Sequence, residues 1–463
     1  MDLSPAFYLI ILHLLGIGLT VYAAFQARTP QGLMAWGLAL IFFPYLGIPL
    51  FLLFGKRKLD DYDDIDEKLI GERKKIETMV SPYKVADFPT PIERFLVNSG
   101  ADYVSGNSIS LLVNADETYD RMLKEIAKAK NFVFIQTFIF RSDSAGKRFV
   151  EALVKKVQEG VKVYLLYENL GYAMSRKVKK RMEDSGICLG EFTPARFNKL
   201  QFNFRNHRKL VAIDGDVCFH GGVNIGDEYL GLNPSIGKWR DTNVMIKGPA
   251  VNLSCLHFIK DWTYSQKKSI DVDFPEIEKE GNTNIFILNS APMGDRSEVL
   301  LQHLELINNA TERLWISNPY LVPPQSIVDA LMVAAIRGVD VRILVPEKSD
   351  NPFVSLTAEL YIDRLVRNGV KVFKYNEGML HNKILLADEC MALVGSVNFD
   401  YRSMYINFEN GIATCDETFL KDLELMLRED FTKSTEVGKQ SFREMSFMKR
   451  LGARCLNVAS PVL

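Results

Sequence analysis

Two regimes of hydrophobic and polar positions divide the chain. From Pro5 to Gln26 there is no Lys, Arg, Asp or Glu, and His13 is the only histidine. As a helix this run is long enough for the ~30 Å hydrocarbon core of a bilayer. Residues 33–54 form a second such run, joined to the first by a short link at 27–32 that leaves room only for a tight hairpin with both ends on one side. Lys56, Arg57 and Lys58 follow the second run, whereas Arg28 is the only charge in the link. That Lys/Arg bias places the bulk of the chain in the cytoplasm. Asp2 stands where a cleaved signal peptide would carry basic residues, and the second run also argues against cleavage. Pro44 and Pro49 predict that the second helix is kinked or re-entrant.

Beyond a polar stretch at 59–104, which opens on the acidic DDYDDIDEK and reads as a tether plus helix, the pattern changes to alternating strands and helices. NFVFIQTFIF at 131–140 is strand-like, Phe149, Leu153 and Val157 recur at helical spacing, and Gly160 leads into the strand-like VKVYLLY. The second half repeats this with LWISNPYLV from Leu314, a helix over 325–337, Gly338 and VDVRILVP. Each half then supplies a further helix (175–185 and 355–368), a strand and a polar motif. This is βαβ grammar, implying a parallel or mixed sheet covered by helices, duplicated within one chain. In the final segment, 433–463, Phe447, Met448, Leu451, Cys455 and Leu456 interleave with Lys449, Arg450 and Arg454. Such a helix suits either a membrane interface or an ordinary surface.

Charge and cysteine content narrow the field. In 463 residues, Lys+Arg 56 nearly cancel Asp+Glu 57, so no global field attracts nucleic acid and an anionic partner must be bound locally. The six cysteines are scattered without a CxxC pair and read as free thiols in a reducing compartment.

The repeated motif carries the chemistry. Its first copy holds His207, Lys209, Asp214, Gly221 and Asn224; its second holds His381, Lys383, Asp388, Gly395, Ser396 and Asn398. On a strand, residues two apart share a face, so each His–Lys pair is expected to face one site from a central strand. The small residues of each turn let backbone approach a ligand, and Asn224 and Asn398 offer amide donors. Two imidazoles, two ammonium groups and two amides about a pseudo-twofold axis suit a phosphoryl group. One imidazole attacks phosphorus and the other protonates the departing oxygen. No His or carboxylate cluster at metal-ligand spacing and no GxxxxGK[ST] loop is present, so neither a metal nor a cofactor is expected.

These paired segments resemble the phospholipase D superfamily, and the phrases RTPQGLMAW, FRNHRKLVAIDG, GGVNIGDEYLG, KWRDTNVMIKGPAV, RGVDVRILVPEKSDN and GSVNFDYRS resemble its bacterial cardiolipin synthases. The resemblance covers essentially the whole chain. It implies duplicated α-β-α sandwich halves with the active site at their interface, following an N-terminal transmembrane helical hairpin. The expected division is a hairpin at 1–58 with helices about 5–26 and 33–54, a linker at 59–104, halves at 105–267 and 283–432, and a tail at 433–463. It further implies a phosphatidyl-histidine enzyme of the bacterial inner membrane that acts on phosphatidylglycerol. By family analogy His207 attacks and His381 protonates the leaving glycerol, then activates the hydroxyl of a second phosphatidylglycerol.

In the same resemblance Lys209, Lys383, Asn224, Asn398 and Ser396 serve the phosphoryl group. Asp241 and Glu409 are acidic partners of the histidines, with Glu409 orienting His381 and His207 served by its own half. Asp214 and Asp388 belong to the motif by name, but seven residues of strand separate each from its histidine, which gives them structural roles. The first copy departs from the pattern in having Gly222 where the second has Ser396. A hydrolase, a transferase using phosphatidylethanolamine, a non-catalytic scaffold and a nuclease are the competing readings.

Overall fold

The computed structural model describes residues 5–27, 30–56, 58–59, 61–169, 171, 174–192, 203–294, 296–458 and 460. Of the basic and aromatic stretches at 196–199 and 202–205, which precede the first motif and read equally as a lipid entrance or a packed loop, residues 196–199 and Phe202 lie outside the described residues.

Helix α1 (Pro5–Gln26) matches the first apolar run, but the second run does not form one bilayer-length helix. It divides at Phe43 into α2 (Pro30–Phe42) and α3 (Pro44–Phe54). Pro44 lacks the N–H that would continue the helical ladder and restricts the residue before it. The chain then doubles back. Trp36 and Phe51, which ~22 Å of continuous helix would separate, meet edge to face with ring centroids 5.1 Å apart. Gly16 and Gly47 allow the close approach, since a Cβ at either would collide with the carbonyl of Leu40 or Ala39. Phe51 also meets Tyr22, and Lys58 Nζ reaches the Phe25 carbonyl at 3.4 Å. The starts of α2 and the ends of α1 and α3 therefore lie together, with the Pro5 end of α1 opposite. This corrects the expected pair of membrane-spanning helices: α2 and α3 have 13 and 11 residues, too few for the ~20 that a crossing needs.

Residues 59–104 are not a tether. Leu59, Tyr62, Ile65, Leu69, Ile76 and Val80 are buried in the main core, carried largely by helices Asp64–Lys68 and Ile70–Val80. The acidic run is engaged as well, with Asp66 2.8 Å from Lys260 Nζ.

The two halves share one sheet of 15 strands. At its centre Asp102–Val113 pairs antiparallel with Thr283–Ser290. Outward from this joint the first half runs Thr242–Lys247, Val217–Gly221, Leu210–Ile213, Phe132–Thr137, Lys162–Glu168 and Cys188–Phe192. The second half mirrors it with Glu409–Thr414, Met391–Gly395, Ile384–Ala387, Arg313–Ser317, Asp340–Pro346 and Lys371–Tyr375, and adds Ser434–Glu436 at the edge. The outer strands are parallel, as crossover helices require, apart from the antiparallel edge strand Ser434–Glu436, and those nearer the joint are antiparallel.

A buried ion pair ties the halves to the 59–104 segment. Arg208 Nη1 lies 2.7 Å from both Asp261 carboxylate oxygens, its Nη2 donates to the Ser290 carbonyl at 2.8 Å, and Asp261 also accepts from Tyr62, Gln136 and Asn206. Removing one partner strands the other charge. Asp261→Ala is expected to cost ~3–5 kcal/mol in denaturant unfolding, and a loss below ~1 kcal/mol would show the network to be dispensable.

In the tail, helix Phe447–Asn457 packs on helix Pro352–Arg367 through Gly452 against Leu356 and a 3.0 Å contact of Tyr361 Oη with Asn457. Phe447 and Met448 remain exposed on its outer face.

Candidate active site

Each HxK segment lies just before a strand instead of within it. His207 and Lys209 precede strand Leu210–Ile213, and His381 and Lys383 precede Ile384–Ala387. The segments leave their own sheet to pair with the opposite half. His207 N donates to the Phe408 carbonyl at 2.9 Å, and His381 N to the Arg240 carbonyl at 2.7 Å.

That exchange crosses the carboxylates. His207 Nδ1 lies 3.0 Å from Glu409 Oε2, and His381 Nδ1 lies 2.7 Å from Asp241 Oδ2. The expected assignment of Glu409 to His381 is thus corrected: each ring is held by the acid of the other half. A carboxylate only accepts, so each Nδ1 carries the proton and each Nε2 lone pair is left for chemistry.

The turns of the two halves support these carboxylates, which explains Gly222 and Ser396. Ser396 Oγ donates to Glu409 Oε2 and accepts from Asn410 N at 2.9 Å. In the first half Asp241 fills that space, and a Cβ at residue 222 would collide with its carboxylate. Ser396, expected to touch substrate, instead fixes Glu409. Asn224 is also committed, donating from Nδ2 to Tyr229 Oη at 2.8 Å and accepting from Ile139 N at 3.1 Å through Oδ1. Asn398 differs, since its buried Oδ1 has no hydrogen-bond partner among the described residues.

The lysines mirror one another. Lys209 Nζ donates to the His207 carbonyl at 2.7 Å, and Lys383 Nζ to the His381 carbonyl at 2.6 Å. Asp214 and Asp388 lie elsewhere. Each sits at positive φ, 54° and 52°, and accepts three backbone N–H groups at the start of a strand: Lys130, Asn131 and Phe132, or Thr311, Glu312 and Arg313. Although both count among the motif's catalytic residues by name, neither is placed at the histidines.

Histidines and asparagines of both halves line one cavity of about 420 Å³. Phe138 flanks His207 and Trp239 flanks His381, with ring centroids 5.2 and 5.1 Å away. Tyr320, Asp350, Asp400 and Arg402 also line it; the motif spacing did not single these out, although Arg402 stands inside the phrase GSVNFDYRS.

Burial sets the protonation states. His207 is held down to about 4, burial outweighing the attraction of Glu409, and His381 is lowered by burial and by Lys383. Both rings are neutral at neutral pH. Burial raises the Asp241 and Glu409 carboxyls, but their histidines and the lysines outweigh it and leave both lowered.

Lys209 is depressed to about 7 and Lys383 to about 8, mainly by burial. The ordinary lysine value is ~10.4, so in this window the unfolded chain binds more protons than the folded one. Stability from these groups therefore rises as pH increases from about 7 toward ~10.4. The slope of unfolding free energy against pH should flatten in Lys209→Met, and an unchanged slope would contradict this account.

Two HxK sets facing one another across a duplicated α/β fold define a phospholipase D-like protein. Consistent with this, the fold superimposes on phosphatidylserine synthase of Haemophilus influenzae Rd KW20 with a TM-score of 0.63 at 14% identity, covering 81% of this chain and 100% of that one. The family model described as "Cardiolipin synthase, PLD-like domain" matches residues 122–262 and 303–431. Cardiolipin synthase A of Pseudomonas putida (strain GB-1) is 35% identical over 478 residues, covering 99% of each chain. That of Pseudomonas fluorescens (strain SBW25) is 35% identical over 478 residues, covering 99% of this chain and 98% of the relative. The chain belongs to the cardiolipin synthase family of the phospholipase D superfamily and is an enzyme of that superfamily.

Proposed function

We propose that the protein joins two phosphatidylglycerol molecules into cardiolipin and free glycerol. The observation that carries the reading is the pair of neutral imidazoles, each with its Nδ1 on a carboxylate, facing one cavity. In the first step Nε2 of one histidine bonds to phosphorus as the P–O bond to glycerol breaks; the second histidine, which must first take a proton from solvent onto its own Nε2 beside the bound anionic phosphodiester, passes that proton to the departing oxygen and returns to the neutral form. In the second step that histidine takes the proton of a headgroup hydroxyl, whose oxygen bonds to phosphorus as the P–N bond breaks. Family analogy gives the attack to His207 and the proton transfers to His381. One phosphodiester is broken and one made, so no nucleotide energy source is needed.

The membrane segment supports transfer over hydrolysis, because it would hold the cavity at a surface rich in lipid alcohol. Purified protein given glycerol-labelled phosphatidylglycerol should release label and form cardiolipin. Phosphatidic acid without cardiolipin would identify a hydrolase, and a requirement for added phosphatidylethanolamine would identify a different donor.

In the bacterial cell membrane α1 would cross the bilayer, and α2 and α3 would dip in and return beside it. Lys56 and Lys58 mark the cytoplasmic end, with the Pro5 end outside. A membrane-impermeant thiol reagent on intact cells should label Phe7→Cys and not Lys58→Cys; protection of both would restore a two-span hairpin.

A further inference from the structure

Cardiolipin synthesis brings two anionic lipids into one cavity. The histidines, lysines and Asn398 serve the phosphoryl group that reacts. The acceptor carries a second phosphate, one glycerol bridge away, that does not react but must still leave water. Without a cation of its own this second charge would be repelled by the first.

Among the charged residues of the cavity, Arg141 is 2.6 Å from Glu228, and Arg205 is 3.2 Å from the fully buried Glu168. Arg402 has no such partner. Among the described residues the only hydrogen bond of its guanidinium runs from Nη2 to the Asn203 carbonyl at 2.6 Å, and no carboxylate forms an ion pair with it. Burial lowers its basicity, and the nearby Arg205 lowers it further against the pull of Asp400. Asp400, whose carboxyl burial pushes up to about 6, is still largely ionised at neutral pH and attracts the guanidinium, but it forms no ion pair with it. A partly buried guanidinium left in this state has donors facing the cavity that an anion would complete.

Its position indicates where that anion comes from. Asn203, which holds Arg402 through its carbonyl, is buried and donates from Nδ2 to the carbonyls of Phe54 at 2.6 Å and Lys56 at 2.9 Å. Arg402 is thus two hydrogen bonds from the point where the chain leaves α3. This is the headgroup level of the membrane disposition proposed above.

The geometry points to Arg402, assisted by Arg205, as the subsite for the unreactive phosphate of the acceptor phosphatidylglycerol. The inference rests on the cardiolipin-forming reading and adds to it how the acceptor is chosen. The planar fork of a guanidinium pairs with two phosphate oxygens at once, which would fix the glycerol arm so that its free hydroxyl reaches the phosphatidyl-histidine. A neutral alcohol does not use this subsite.

That difference provides the test. Full-length protein is incubated with phosphatidylglycerol vesicles containing 1-butanol, and cardiolipin and phosphatidylbutanol are measured together, since both arise from the same intermediate. Arg402→Gln should lower the ratio of cardiolipin to phosphatidylbutanol by ~10-fold or more, with a raised KM for the acceptor lipid, and Arg402→Lys should recover part of it. An unchanged ratio, whether both products fall by the same factor or neither falls, overturns the subsite. If Arg402→Gln does not fold, Arg205→Gln is read by the same ratio, with a fall supporting the subsite and an unchanged ratio rejecting it. A wild-type protein that makes phosphatidylbutanol but no cardiolipin defeats the functional reading itself, which is a separate result from any arginine variant.

Discussion

His381→Ala protein mixed with phosphatidylglycerol labelled in its phosphate and quenched in acid is expected to carry label on His207, while His207→Ala carries none. Turnover in both variants should fall by ~10³-fold or more, since each loses either the nucleophile or the proton-transfer group. The contrast arises because the neutral Nε2 of His207 can still attack when its partner is missing, whereas the product cannot leave without a base to activate the acceptor. The opposite pattern of labelling would exchange the two roles and leave covalent catalysis standing. Cardiolipin formation with no label in either variant would remove the covalent step.

The crossed carboxylates make the second prediction. Glu409→Gln keeps the shape of the side chain but can donate to His207 Nδ1, which favours the wrong tautomer and moves the lone pair away from Nε2. In another carboxylate-oriented imidazole the equivalent change costs ~10⁴ in kcat, and a loss of ~10²–10⁴ is expected here. The diagnostic readout is spectroscopic. Glu409→Gln should shift the ring nitrogen resonances of His207 and spare those of His381, and Asp241→Asn should do the reverse. A shift at His381 in the Glu409 variant would return the carboxylates to their own halves.

The duplicated α/β architecture and the four HxK residues were legible because they follow from periodicity and spacing, which are local properties. The partner of each carboxylate was not. Nothing in the spacing of Glu409 says that residues 206–209 leave their sheet and pair across the joint, because that exchange is decided by tertiary packing. The same cause hid the commitment of Asn224 to Tyr229, only five residues on, because the packing of the turn and not the spacing brings the two side chains together. The spacing exposes the Ser396 hydroxyl as a candidate ligand of the phosphoryl group but not the Glu409 carboxylate that it binds instead. The 59–104 segment was misjudged on composition: its acidic residues sit on helices whose other face, with Ile65, Leu69 and Ile76, is core. In the second apolar run hydropathy alone measures length along the chain and gives a bilayer-length helix, whereas Pro44 and Pro49 already signal the re-entrant turn that falls at Phe43.

The carboxylate exchange also bears on how such a chain arises. A single half contains a histidine, a lysine and an acid, but its acid points away from its own histidine. Such a half could become catalytic only by meeting a second copy, with each copy completing the other. The arrangement has the symmetry of a dimer within one chain, and the Gly222–Asp241 and Ser396–Glu409 pairs are where its two halves differ. It follows that residues 1–267 and 283–463 made as separate chains should each be inert and regain activity only together.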